Sequence, residues 1–402
     1  MAPPFPSQRQ FAILSDEGHS NEPSMHQQQN RTTPPTPWNG LAPSRWVEIF
    51  TEAGLRPAQA RGAVKSISAA LFREHLSWPE ALQGGSKAFR KLALTRAAPP
   101  LTLELCERAT AEDLTSRLLF KTHDGHLVET VIIPSERGGA AGRTTVCVSS
   151  QVGCGRRCVF CETGRLGLVR QLSAAEIVAQ LHQAIRIWDA ERAMAPAVTN
   201  VVFMGMGEPL DNLPEVLASI GVMTDDLSFG LSAKRITVST VGVAPKIGEF
   251  VRATRANLAV SLNAPDDVRR SALMPVNKRC SMADLREVLL SELPPGRDVL
   301  FEYILFDEVN DSLDDATLLG DWLQGIPARL NLIPANPGPD PALRQPRPEQ
   351  VWAFQKLLLD KGLRVMVRHP HGRDVGGACG QLAGEARERL DRLQHTRPGS
   401  DA

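Results

Sequence analysis

A single tyrosine in 402 residues means that any stacking against a planar base falls to Phe, Trp, His or Arg. Net charge is also missing: 45 Lys and Arg balance 45 Asp and Glu. Bulk charge therefore announces no nucleic-acid partner, and any such contact must use local basic clusters. No apolar run reaches the roughly 18 residues of a membrane span, so no membrane association is expected. The start, Met1-Ala2-Pro3-Pro4-Phe5-Pro6, lacks a basic region followed by an apolar stretch, so no secretory signal is read there. Seven cysteines, an odd number with three crowded together, do not make a secreted disulfide framework. A reducing cytoplasm fits better. What is present is ordinary globular material, 42% hydrophobic and 22% charged, enough for a large core and a second small domain.

Residues 1–42 are rich in Pro, Gln, Ser and Thr, which predicts a disordered tail. Over 43–117, Trp46, Ile49 and Phe50, then Ala63, Ile67 and Leu71, recur three to four apart, which predicts a small helical accessory domain. Residues 118–385 read as the main domain. It opens with a β-hairpin across His123-Asp124-Gly125-His126, where Asp-Gly favours a tight turn. Candidate strands then alternate with helical patterns, at Thr145–Val148, Asn200–Met204, Arg235–Thr240, Leu258–Asn263, Val299–Phe306, Arg329–Pro334 and Leu363–Arg368. That alternation implies an α/β fold with parallel pairing, six or so units forming an incomplete barrel, and chemistry at the C-terminal ends of the strands. Residues 386–402 are expected to be a helix end and tail.

Directly after the first core strand comes Cys154-Gly155-Arg156-Arg157-Cys158-Val159-Phe160-Cys161, with spacing C-x3-C-x2-C. Three thiolates on one short loop can hold three irons of a cubane cluster and leave the fourth open. A structural zinc is the plainer alternative, with Cys147 or Cys379 as a fourth ligand. The motif resembles the signature of the radical S-adenosylmethionine (SAM) superfamily. After the second strand, Met204-Gly205-Met206-Gly207-Glu208-Pro209 combines glycines, which let backbone approach a ligand, with a carboxylate suited to an ammonium group. Ser239, the stretch Ser261-Leu262-Asn263, and Asn336 fall at later strand ends, the expected lining of a barrel mouth. Each alone also reads as a turn or cap residue. Cys379 lies among small residues, Gly376-Gly377-Ala378-Cys379-Gly380, after the basic run Arg368-His369-Pro370-His371-Gly372-Arg373. Basic neighbours favour a thiolate. Cys106 and Cys280 read as small buried hydrophobes.

Several stretches together resemble the RlmN/Cfr family of radical-SAM RNA methyltransferases. They are Val128–Pro134, Cys147–Cys154, Phe203–Leu210, Ile236–Thr240, Ser261–Pro265, Asn331–Pro334 and Ala378–Leu382, in the family's order. The resemblance implies a radical-SAM (β/α)6 partial barrel with one [4Fe–4S] cluster on Cys154, Cys158 and Cys161. It implies SAM contacts at Gly207, Glu208, Ser239, Ser261, Leu262, Asn263 and Asn336. It also implies that Cys379 becomes S-methylcysteine, that Cys147 is its resolving thiol in a transient disulfide, and that Glu129 accepts a proton. The implied reaction methylates an adenine carbon, C2 first and C8 as the rival, in ribosomal RNA and also transfer RNA. It uses two SAM molecules per turnover and an electron donor such as flavodoxin or ferredoxin. The chemistry is coherent on its own terms, because an amidine carbon of adenine is a poor nucleophile and a radical route avoids direct attack on the SAM methyl group. The sequence departs from the family in the run before Cys379, which is not the usual Arg-rich, Asp-Asp-containing one, and in the alanine before Asn336. A radical-SAM enzyme on another substrate and a metal-stapled RNA-binding module remain as alternatives. The basic pairs Arg156-Arg157, Lys234-Arg235, Arg269-Arg270 and Lys278-Arg279 are candidate phosphate contacts.

Overall fold

The structure, a computed structural model, describes residues 35–135, 142–191, 197–338, 340–368, 371–378 and 380–382. The terminal segment 386–402, most of the expected tail and Cys379 itself lie outside the described residues. Residues 36–42 are not tail. β1 (Thr36–Pro37) pairs in parallel with β2 (Ala97–Ala98), and Trp38 is fully buried. Its ring stacks on Trp46 with centroids 5.1 Å apart, and its Nε1 donates to Ser68 Oγ at 3.3 Å. One large aromatic thus anchors a segment whose composition reads as disordered.

Four helices follow: α1 (Pro43–Glu52), α2 (Pro57–Phe72), α3 (Trp78–Gln83) and α4 (Lys87–Arg96). Proline in the first turn of α1 and α2 sits where no backbone N–H is needed, and Ser77 with Glu80 forms a capping box on α3. Trp46 and Phe50 of α1, Ile67 of α2 and Phe89 of α4 are buried in one shared core. The helical region ends at Arg96 rather than at 117. β3 (Glu104–Thr110) is a strand, antiparallel to β4 (Ser116–Lys121). It is an edge strand, exposed or half-buried along its whole length, so its charged residues need no apolar alternation to betray it. β5 (Leu127–Ser135) completes the expected hairpin, with Gly125 in the turn at φ +86°.

The chain then builds its barrel. β6 (Arg143–Cys147) leads to a small antiparallel pair, β7 (Gln151–Gly153) and β8 (Leu168–Gln171), with α5 (Glu162–Leu166) between them. The remaining units are α6 (Ala174–Glu191), β9 (Val198–Phe203), α7 (Leu213–Thr224), β10 (Ile236–Thr240), α8 (Ala244–Ala253), β11 (Asn257–Ser261), α9 (Asp267–Leu273), α10 (Met282–Glu292), β12 (Val299–Leu305), α11 (Leu313–Leu323), β13 (Ala328–Pro334), α12 (Pro348–Asp360) and β14 (Arg364–Val367). The main sheet runs β14-β13-β12-β11-β10-β9-β6-β5-β4-β3. From β6 to β14 every pair is parallel; from β6 to β3 every pair is antiparallel. Helices occupy the six connections between the parallel strands, so the α/β partial barrel stands, extended by the hairpin and its edge strand. Ser281 with Asp284 and Ser312 with Asp315 box the starts of α10 and α11. Val238, Leu258, Val260, Val299, Phe301 and Leu330 fill the core. The single tyrosine, Tyr303, is part of it, its hydroxyl donating to Asn310 O at 2.9 Å, so it is not a stacking platform.

Candidate active site

The three clustered cysteines lie beyond the C-terminal end of β6, on the loop between β7 and α5. The Cys154 N–H donates to Gly167 O at 2.9 Å and the Cys161 N–H to Cys158 O at 3.1 Å. Cys154 and Cys158 are buried and Cys161 is half-buried. Burial pushes the Cys154 thiol up to about 12 and raises Cys158 and Cys161 as well. Thiols this protonated become ligands only when a metal displaces their protons. Among the described residues, the one trio of His, Cys, Asp or Glu ligand atoms converging within 4.8 Å is His123, Asp124 and Glu176. Three thiols on one short loop suit a cubane cluster, holding three of its irons and leaving the fourth open.

The glycine-rich rim lies beside them. Gly207 has φ +104°, and a Cβ there would stand 2.6 Å from Gln151 Cβ, so only glycine fits. Glu208 is buried. Its Oε1 accepts from the Leu210 N–H at 2.9 Å and its Oε2 from the Val241 N–H at 2.9 Å, while burial pushes the carboxyl up to about 7. Arg156 reaches Asp211 at the same rim, Nε to Oδ2 at 2.7 Å. Ser239 Oγ donates to Glu302 Oε2 at 3.3 Å.

Asn263 is turned to the framework. Its Oδ1 accepts from the Ile304 N–H at 2.9 Å, its Nδ2 donates to the Met274 sulfur at 3.4 Å, and its carbonyl accepts from Asn310 Nδ2 at 2.8 Å. Its φ of +56° suits asparagine. Leu262 is buried and Ser261 half-buried. Their carbonyls accept from Arg270, as do Val241 O and Asn277 Oδ1. The candidate phosphate pair at 269–270 is therefore corrected. Arg270 is fully buried, burial lowers its guanidinium to about 10, and Arg269 pairs with Asp266 and Asp315. Both arginines brace the rim loops. Arg156, engaged with Asp211, is likewise a brace.

The hairpin brings the remaining residues in. Val131 faces Cys147 across the β5–β6 pair, and Cys147 faces Val202 on β9. Alternation puts Glu129, Val131 and Ile133 on the sheet face that carries Cys147. Glu129 is buried rather than solvated, with Arg117 Nη1 3.0 Å from its Oε1. A cavity on this face is lined by Cys147, Met204, Asn336, Arg368, His371 and Ala378.

Cys379 lies outside the described residues, but both its neighbours are placed. Ala378 lines that cavity, and Gly380 O accepts from the Glu162 N–H, at the end of the cysteine loop, at 2.9 Å. Thr163 Oγ1 donates to Leu382 O at 2.9 Å. The unusual run before Cys379 is strapped on two sides. Asp113, in the β3–β4 turn, bonds His371 Nδ1 at 2.9 Å and the Gly372 N–H at 3.2 Å. Arg373 Nε donates to Asn336 Oδ1 at 2.9 Å. From the sequence Arg270 reads as a phosphate contact rather than a brace, and Glu302 and Asp113 are not singled out. For Glu302 a signal existed, a lone charge inside the apolar strand Val299-Leu300-Phe301-Glu302-Tyr303-Ile304-Leu305.

The Radical SAM superfamily model matches residues 148–316, which span the cysteine loop and the rim. A probable RNA methyltransferase of Sorangium cellulosum is 56% identical over 305 residues, 76% of this chain and 75% of that protein. The dual-specificity RNA methyltransferase RlmN of Anaeromyxobacter sp. is 39% identical over 361 residues, 88% of this chain and 92% of that one. The chain belongs to the RlmN family of radical SAM RNA methyltransferases. A radical SAM methyltransferase from Sphaerobacter thermophilus shares the fold, with a TM-score of 0.76 at 36% identity over 87% of this chain and 99% of that one. As a member of the RlmN family, the protein is an enzyme that works on RNA with SAM and a [4Fe–4S] cluster. Among the described residues no helix is long and apolar enough to cross a membrane.

Proposed function

We propose that this enzyme methylates an adenine carbon, C2, of ribosomal RNA and also of transfer RNA, through a methyl group carried on Cys379. The observation that carries the reading is the seat of the residues flanking position 379. One flank lies against the cysteine loop and the other lines the cavity that Cys147 shares. Cys154, Cys158 and Cys161 are the cluster ligands. Gly207, Glu208, Ser239, the Ser261–Asn263 stretch and Asn336 form the SAM rim, with Asn263 acting through its backbone because its side chain is engaged elsewhere.

With an electron from a flavodoxin or ferredoxin, the bound cluster supplies reductive cleavage of SAM, and hence a carbon radical that removes hydrogen from a methyl group. The rest is done by side chains of this chain. Cys379, as thiolate, takes a methyl group from one SAM; a second SAM is spent in activating it, so two are used per turnover. Glu129 accepts the adenine ring proton, its carboxylate held in place by Arg117. Once the ring adduct has returned its unpaired electron to the cluster and lost its proton, the Cys147 thiolate attacks the Cys379 sulfur, forming the S–S bond as the C–S bond breaks and the departing methylene carbon takes up a proton to become the methyl group. A cytoplasmic thiol reductant then reopens the disulfide. Reaching the ring requires the adenine to leave its stack.

The test is Cys379→Ala in anaerobically reconstituted protein with SAM, reductant and unmodified ribosomal RNA. Nucleoside mass spectrometry is expected to find 2-methyladenosine with wild type and none with the variant. Methylation that survives Cys379→Ala contradicts the reading, and 8-methyladenosine moves the target to C8.

A further inference from the structure

Glu302 is a carboxylate inside the barrel that the reaction above does not use. It lies on β12, in register with Ser261 on β11 and Asn331 on β13, and only 7% of its surface is exposed. A carboxylate offers about four acceptor positions, and charge-assisted bonds to it are normally near 2.7–2.9 Å. Glu302 makes two long ones, from Ser239 Oγ at 3.3 Å and from Arg368 Nη1 at 3.5 Å. Burial raises its pKa, with Arg368 and Ser239 only partly offsetting that. A buried acceptor so thinly satisfied calls for further donors. Its immediate neighbours, Ser239 by contact and Ser261 by register, are the two serines of the SAM rim. Of the cofactor's donors, the ammonium is matched by Glu208 at the rim, and the ribose hydroxyls offer a pair that one carboxylate can accept together.

We propose that Glu302 is a further cofactor-binding residue whose carboxylate accepts hydrogen bonds from the ribose hydroxyls of SAM between Ser239 and Ser261. This rests on the reading that the rim binds SAM. Charge-assisted bonds of this kind correspond to roughly a tenfold or larger effect on affinity.

The test is calorimetry on the cluster-loaded protein with S-adenosylhomocysteine and its 2′-deoxy and 3′-deoxy analogues. It is run on wild type and on Glu302→Gln, which keeps the side-chain volume. Wild type is expected to bind at least one deoxy analogue about tenfold more weakly than the parent. Glu302→Gln is expected to bind the parent more weakly by a similar factor and to discriminate the hydroxyls less. A variant that loses affinity equally for all three ligands while discriminating as wild type does makes Glu302 a brace for Ser239 and Arg368, and overturns the inference. The wild-type series stands even if the variant fails to fold: no preference for the hydroxyls overturns the inference alone. Wild-type protein that binds neither SAM nor S-adenosylhomocysteine overturns the cofactor reading, and this inference with it.

Discussion

Arg270 shows how a single side chain can set the shape of a binding rim. Its guanidinium bonds three backbone carbonyls and one side-chain amide, tying the end of β10 to the end of β11 and to the loop after α9. Replacing it with methionine keeps much of the bulk but leaves those buried acceptors unpaired, at a cost on the order of 3 kcal/mol. Urea unfolding of Arg270→Met is expected to show a lower midpoint, with SAM affinity falling in the fraction that remains folded. A midpoint within error of wild type contradicts the bracing role. In the sequence this residue is indistinguishable from its neighbour Arg269, because adjacent basic residues look alike until burial is known. The cysteines were legible for the opposite reason. Their spacing suggests the chemistry, since three thiols on one short loop can share a cluster. Asn263 was legible as a position but not as a role, because nothing in Ser261-Leu262-Asn263 reveals that the amide turns back to Ile304 and Met274.

Elements were readable in proportion to how fully they are buried. The central parallel strands β10 to β13 are rich in apolar, largely buried residues, and that pattern places them in the sequence. β3 escaped because an edge strand carrying Glu104, Glu107 and Arg108 has no such run, and residues 36–42 escaped because one buried tryptophan does not change the average of a proline-rich stretch. Between the helical region and the barrel, His75, just after α2, meets His182 of α6, Nδ1 to Nε2 at 3.3 Å. Phe72 and Phe229 pack against the His182 ring. Burial holds His182 down to about 4, from 6.5, and lowers His75 too. The unfolded chain therefore takes up protons below about pH 6.5 that the folded chain refuses, so stability falls as pH drops from about 6.5 towards 4. For His182 the loss amounts to about 3 kcal/mol at most. Thermal unfolding across that range is expected to show a falling Tm in wild type and a shallower slope in His182→Gln. Equal slopes contradict the assignment of this contact as the sensitive one.

Across the whole molecule, the sheet has two halves with different tasks. The parallel half, β6 to β14, carries the cysteine loop and the rim at its strand ends. The antiparallel half, β3 to β6, brings Glu129 onto the face of Cys147, and its β3–β4 turn holds the run before Cys379 through Asp113. The hairpin is thus a working wall of the site. Replacing one of the proposed metal ligands separates structure from chemistry. Cys158→Ala is expected to fold, as circular dichroism would report, yet to lose most of its iron on reconstitution; full iron content contradicts its assignment as a ligand.

In the proposed reaction, SAM cleavage at the three-cysteine loop is coupled to methyl transfer from Cys379 onto RNA. Anaerobic reaction with methyl-deuterated SAM and unmodified ribosomal RNA, with 5′-deoxyadenosine and methyladenosine quantified together, tests it most directly. The expected result is deuterium in the 5′-deoxyadenosine, two rather than three deuterons in the RNA methyl group, and loss of both labelled products with Cys379→Ala. An RNA methyl group that retains all three deuterons, or 5′-deoxyadenosine free of deuterium, contradicts it.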